Sequence, residues 1–132
     1  MADAVNTNTL FDDNRRKILQ FSNICDGTGE SDVKKVDISA DSGGPDGSVP
    51  SKYSIQEVQY DIQGFTSVLI EFDATTDDTA LVLSGNGYKD FTSVGGLHDP
   101  QSTGATGDIF LTTAGNAAGD AYDIVLHLKK HD

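Results

Sequence analysis

Tyr122-Asp123-Ile124-Val125-Leu126-His127-Leu128-Lys129 reads with a period of two: Tyr122, Ile124, Leu126 and Leu128 share one face, while Asp123, His127 and Lys129 share the other. Side chains of a β-strand alternate across the sheet, so this stretch predicts a strand with one buried face and places His127 toward solvent. The same alternation recurs upstream in Val36 and Ile38, in Val58, Tyr60 and Ile62, in Val68, Ile70 and Phe72, and in Leu81 and Leu83. Ile18 to Ile24 departs from it. Leu19 and Phe21 are in phase but Ile18 and Ile24 are not, and a β-bulge is expected to reconcile them.

Between these runs lie turn formers: Asp26-Gly27-Thr28-Gly29, Asp41-Ser42-Gly43-Gly44-Pro45-Asp46-Gly47, Gly85-Asn86-Gly87 and Gly115 to Asp120. Each supplies residues that tolerate positive φ or that mimic a turn with their own side chains. No window of a dozen residues holds a 3.6 period with a cap at each end. Phe11 to Leu19 comes nearest to a helix and reads better as the lead-in to a strand. The expected fold is therefore all-β, an antiparallel β-sandwich, jelly-roll or Ig-like, of about eight short strands. Residues 14–132 form its single domain. Residues 1–13 are expected to be either a polar N-terminal arm or a first edge strand docked on the sheet.

The chain has 132 residues, with 21 Asp and Glu against 9 Lys and Arg, a net charge of −12. That length suits one domain with a core of its own. The charge excludes nucleic acid as an expected partner, because such proteins gain affinity by neutralising phosphates with cations. Arg15-Arg16-Lys17, Lys34-Lys35 and Lys129-Lys130 read as charges that guard strand edges. The first residues lack a basic segment followed by an apolar one, and no apolar run approaches the ~20 residues of a membrane span, so no membrane partner is expected. Cys25 ends an apolar stretch, where a buried, reduced thiol is expected in a protein made in cytoplasm.

Few residues suggest chemistry. His98 precedes Asp99, but neighbours on an extended chain point apart, and no Gly-x-Ser-x-Gly elbow is present, so no enzyme is expected. Gly27-Thr28-Gly29 and Gly85-Asn86-Gly87 read as turns rather than phosphate loops, for neither opens a helix or carries a Lys. His98, His127, His131 and Cys25 lack a zinc spacing, and no cofactor is expected. Calcium prefers carboxylates gathered in loops, which makes Asp73, Asp77 and Asp78 weak metal candidates. Asp26, Glu30 and Asp32 form a second acidic group, Asp41 and Asp46 a third. None matches an EF-hand, and surface acidity accounts for all three groups. Gly95 to Gly107 reads as a long loop of the kind that usually serves a function.

Asp26-Gly27-Thr28-Gly29-Glu30-Ser31 followed by Val36-Asp37-Ile38-Ser39 resembles a group of small virion structural proteins of tailed phages, notably those of marine cyanobacteria. Phe72-Asp73-Ala74-Thr75-Thr76, Asp90-Phe91-Thr92-Ser93 with Gly95-Gly96-Leu97, and Thr106-Gly107-Asp108-Ile109 with Gly119-Asp120, Tyr122 and Ile124 are similar to the same family in the same order, as is the Met1-Ala2-Asp3-Ala4-Val5 opening. The chain departs from the pattern at Cys25, where a small hydroxyl residue is expected, and at Phe72, where a Trp is more usual. The resemblance implies a particle component made in the host cytoplasm. Charge of −12 beside packaged DNA is unfavourable, so the outer surface of the virion is the expected location.

A capsid decoration or cement protein is the expected role, with the major capsid protein or another virion protein as partner and a homo-oligomer on the particle possible. The expected contacts are Asn6, Thr7, Asn8, Thr9, Leu10 and Phe11, adding a strand to a capsid or neighbouring edge, and the loop at Leu97 and His98. In the bland alternative, Leu10 and Phe11 staple the first strand to the domain's own core. Other readings are a neck, tail or fibre-attachment component, and a calcium-assisted glycan-binding module, which four Tyr and no Trp weaken.

Overall fold

The computed structural model describes residues 4–41, 43, 47 and 50–131. Ten strands are described: β1 (Ala4–Asp12), β2 (Arg16–Asp26), β3 (Val33–Val36), β4 (Lys52–Gln63), β5 (Ser67–Phe72), β6 (Asp78–Leu83), β7 (Asn86–Asp90), β8 (Leu97–His98), β9 (Ile109–Ala114) and β10 (Ala118–His131). Single 3₁₀ turns follow β3, at Ile38–Ala40, and β7, at Thr92–Val94.

The strands form two antiparallel sheets. One has the order β1-β2-β10-β4-β7, with β8 also pairing β4, and the other has the order β3-β9-β5-β6. Only the β1–β2, β5–β6 and β7–β8 connections stay within a sheet; every other one crosses from sheet to sheet. The four-strand orders β2-β10-β4-β7 and β3-β9-β5-β6 are those of an eight-stranded jelly roll, to which β1 adds an outer edge and β8 a short extension.

Alternation builds the core. Phe21 from β2, Tyr53, Ile55 and Val58 from β4, and Ile124, Leu126 and Leu128 from β10 have almost no exposed surface, and they face Val68, Ile70 and Phe72 of β5 and Leu111 of β9. Fully burying one such side chain contributes roughly 1.5–3 kcal/mol. This interdigitation between the sheets therefore carries most of the stability.

The bulge expected within Ile18 to Ile24 is absent. β2 pairs with β10 without a break from Ile24↔Ala121 to Arg16↔Lys129, and Leu19, Phe21, Asn23 and Cys25 all point inward. The phase conflict resolves because Asn23 takes an inward position and leaves Ile24 63% exposed on the outer face. The irregularity lies on the neighbouring strand, where β1 shifts register between Thr9 and Phe11.

Gly85-Asn86-Gly87 is only in part a turn. Gly85 makes the bend at φ 67°, while Asn86 and Gly87 open β7. Gly87 is needed for close approach, since a Cβ there would stand 2.9 Å from the Tyr60 hydroxyl oxygen. The stretch from Gly95 to Gly107 is likewise not one loop. It contains β8, and its remainder is tied down by Thr75 N–H donating to Thr103 O (3.0 Å) and by Thr106 Oγ1 donating to Asp73 (2.6 Å).

Candidate functional site

Among the described residues the sandwich has four free edges, and they differ in how they are guarded. β3 carries Lys34, β7 carries Lys89 and Asp90, and β6 opens with Asp78. Charges at an edge discourage pairing with another chain. β1 is nine residues long and has no charge or proline from Ala4 to Phe11. Its outer edge is an unguarded row of backbone donors and acceptors.

Asn6, Thr7, Asn8, Thr9, Leu10 and Phe11 thus lie in an edge strand of the protein's own sheet, paired with β2 at eight positions, rather than in a free arm. Nor do the apolar pair staple it to the core: Leu10 is 54% and Phe11 40% exposed, and the Arg16 guanidinium lies over the Phe11 ring at 5.3 Å. On the outer sheet face an amide ladder crosses three strands. Asn8 Nδ2 donates to Gln20 Oε1 (3.5 Å), and Gln20 Nε2 donates to Asp123 Oδ1 (3.0 Å).

Leu97 and His98 form β8, paired with Ile55 and Ser54 on the far side of β4. They stand at the opposite edge of the sheet from β1, so the two expected contact regions do not come together. Leu97 packs against the core, and the exposed His98 ring lies 5.3 Å from that of His131. Ser54 Oγ is 2.9 Å from His131 Nε2, the separation of a nucleophile and its base. Ser54 has no exposed surface, however, and Gln56 Nε2 donates to the same oxygen at 2.7 Å. A substrate has no access to it, and the pair is a packing contact.

Asp73 lies beside Asp77, but Asp73, Asp77 and Asp78 are not the three carboxylates that the structure gathers. Asp73 accepts from Thr106, and Asp78 opens β6 opposite Phe72. Asp77 instead joins Asp32 and Glu71, their carboxylate oxygens all within 4.8 Å of one another. Burial pushes the Glu71 carboxyl above its ordinary pKa, and the charges of Asp32 and Asp77 add to this against the opposing Thr112 hydrogen bond. Asp77 shifts the same way through burial and the charges of Asp32 and Asp73. Glu71 escaped the sequence reading because it looks like an ordinary outward residue of β5.

The other acidic groups disperse. Asp26 caps its own turn by accepting from Thr28 N–H (3.0 Å), and Asp46 lies outside the described residues. Glu30 is buried, with Lys35 Nζ at 2.6 Å, Asn23 Nδ2 donating at 2.9 Å, and the Tyr122 hydroxyl donating to it. Asp41 is the centre of a buried network. Lys130 Nζ, with no exposed side-chain surface, lies 2.5 Å from Asp41 and 2.6 Å from Asp12 and donates to Gly43 O at 2.9 Å. The Tyr53 hydroxyl donates to Asp41 (2.5 Å), and Lys17 stands 3.6 Å from Asp12 and 3.7 Å from Asp41. Lys35 and Lys130 are therefore interior cations and not the edge guards their doublets suggested.

Among the described residues no helix is long and apolar enough to cross a membrane. No family model, no curated protein and no solved structure matches this chain.

Proposed function

We propose that this protein is a phage virion structural component, a capsid decoration or cement protein that binds the outer surface of the assembled shell and stabilises its subunit joints. The observation that carries the reading is the unguarded β1 edge on an otherwise guarded jelly roll. Strand addition there gives affinity through main-chain hydrogen bonds, with Leu10 and Phe11 as apolar anchors beside it. The sequence resemblance to phage virion proteins supports the same reading, and the charge of −12 favours a surface turned away from the genome. Binding the lattice but not free subunits stabilises the lattice by mass action, by about 2.7 kcal/mol per site at a hundredfold excess over Kd.

An image reconstruction of the intact virion tests this. Density for the jelly roll on the outer shell, in hundreds of copies, is the expected result. Density at the neck or tail, in tens of copies or fewer, would favour the runner-up role, and virions without the polypeptide would overturn both.

One observation favours a second reading, the calcium-assisted glycan module: the Asp32–Glu71–Asp77 group offers the hard oxygen donors calcium takes. Without a metal the three carboxylates repel, so Asp77→Asn, whose side-chain oxygen can still accept from Ala74 N–H, is expected to stabilise the protein in chelator. The gain should be about 0.5 kcal/mol, the scale of a partly exposed charge pair, or roughly 2 °C in Tm. If calcium raises the Tm of the unmodified protein and Asp77→Asn abolishes that rise, the glycan reading gains and the scaffold reading weakens.

A further inference from the structure

The protein has nine Lys and Arg against 21 acids, so a cation without an acidic partner is unexpected. Lys17, Lys34, Lys35 and Lys130 are all in salt bridges. Lys52 and Lys89 stand apart on β4 and β7. The remaining three, Arg15, Arg16 and Lys129, line one groove of about 460 Å³ on the outer face of the larger sheet, and among the described residues none of them has a carboxylate within salt-bridge distance.

Both acids in the groove are engaged elsewhere. Asp13 accepts from the backbone N–H groups of Arg15 (2.8 Å) and Arg16 (2.7 Å) and forms no salt bridge with either guanidinium, and the Arg16 guanidinium lies over the Phe11 ring. Glu57 accepts from the Tyr88 hydroxyl (2.8 Å) and faces His127 Nδ1 at 3.6 Å. A bulge shapes the floor. The β10–β4 register passes from His127↔Glu57 to Leu128↔Ile55, so Gln56 is the extra residue and the sheet opens beside the half-buried Ile18. The groove also borders the exposed end of β1, because Arg16 covers Phe11.

Guanidiniums without a carboxylate partner, in a half-enclosed site with an apolar floor, suit a carboxylate on a chain that also carries apolar side chains. We propose that this groove binds an acidic peptide segment of a partner protein, with one or two carboxylates on Arg15, Arg16 and Lys129 and a flanking apolar side chain on Ile18 and Phe11. The site does not depend on the partner's being a virion protein.

The test is an NMR titration of the ¹⁵N-labelled full chain with three probes: a blocked pentapeptide alternating leucine and glutamate, its glutamine counterpart, and inorganic phosphate. The glutamate peptide should shift the amides of Arg15, Arg16, His127 and Lys129 saturably, less strongly as salt rises. The glutamine peptide should bind at least tenfold more weakly, and phosphate at equal concentration should not displace the glutamate peptide. Arg15→Gln with Arg16→Gln, and Lys129→Gln separately, change only exposed side chains and should each weaken binding about tenfold with Tm unchanged. Lys89→Gln, which removes the same charge elsewhere, should leave it unchanged. Equal binding of the glutamine peptide, displacement by phosphate, equal weakening by Lys89→Gln, or no saturation would each overturn the proposal.

Discussion

Replacing Lys130 with methionine should cost about 3–5 kcal/mol of stability, the usual penalty for removing one partner of a buried ion pair. Methionine keeps most of the length and apolar stem, so the loss isolates the charge. Asp12 and Asp41 would lose their ammonium contacts of 2.6 and 2.5 Å and keep Lys17 only at 3.6 and 3.7 Å, Asp41 would retain the Tyr53 hydroxyl and the Gly43 N–H, and Gly43 O would lose the Lys130 donor. For a chain of this length the loss corresponds to roughly 10–20 °C in Tm, and urea denaturation measures it independently. Converting Asp12 and Asp41 to asparagine in the same variant should recover much of it, since the penalty comes from uncompensated buried charge. A loss below about 1 kcal/mol for Lys130→Met would mean that solvent already screens the network.

The same network sets a pH dependence with a definite sign. Burial alone would raise the pKa of Asp41, but Lys130, Tyr53 and the Gly43 N–H outweigh it and hold the carboxyl below its ordinary value. Its stabilisation is therefore complete above the unfolded value of about 3.9 and is lost as pH falls through the lower folded one. Lys130 mirrors this: burial would lower its pKa, yet hydrogen bonds to Asp12 and Asp41 raise it. That contribution is complete below an unfolded value of about 10.4 and is lost as pH rises through the folded one. Glu71 and Asp77, both raised, act oppositely and give back some stability as acid neutralises them. In Lys130→Met the fall in stability below about pH 4 should be shallower, because Asp41 has lost its main cation.

Much of this was legible in the sequence, because a half-buried strand writes its face into every second residue. Tyr122 to Leu128 placed β10 and its inner face correctly, and the jelly-roll alternative was among the two architectures that pattern allowed. Lys130 could have been found the same way, for it continues the series 122, 124, 126, 128 inward, but its charge suggested the surface. Lys35 left no such trace. It falls where β3 shifts register between Lys34 and Val36, and alternation fails at a shift. The Asp32–Glu71–Asp77 group was invisible because Asp32 joins Glu71 and Asp77 from a distant part of the chain. The sequence divides Asp32 and Asp77 between separate acidic groups, and nothing in the spacing joins them. The unpaired state of Arg15, Arg16 and Lys129 is a property of pairing in space, which no spacing encodes.

Deleting residues 1–11 should leave the domain folded and abolish its attachment to particles. The side chains of β1 are exposed from Val5 onward, so the strand contributes chiefly its pairing with β2. A backbone hydrogen bond contributes about 1 kcal/mol net, and ordering each residue costs a similar amount, so the change in stability should stay within about 2 kcal/mol. The cut falls before Asp12 and so retains its contact with Lys130. Circular dichroism melting measures the fold, and co-sedimentation with virions stripped of the protein measures attachment. Unfolding would make β1 part of the domain's own framework. A folded, fully binding product would move the contact away from this edge, with Leu97 and His98 next to be tested. A finer variant separates the edge from the strand. Asn8→Lys puts one charge midway along β1, as Lys34 does on β3 and Lys89 on β7, on a side chain exposed beside Gln20. It should leave Tm within about 2 °C while weakening attachment at least tenfold, because the added charge must be desolvated wherever a partner strand closes over the edge.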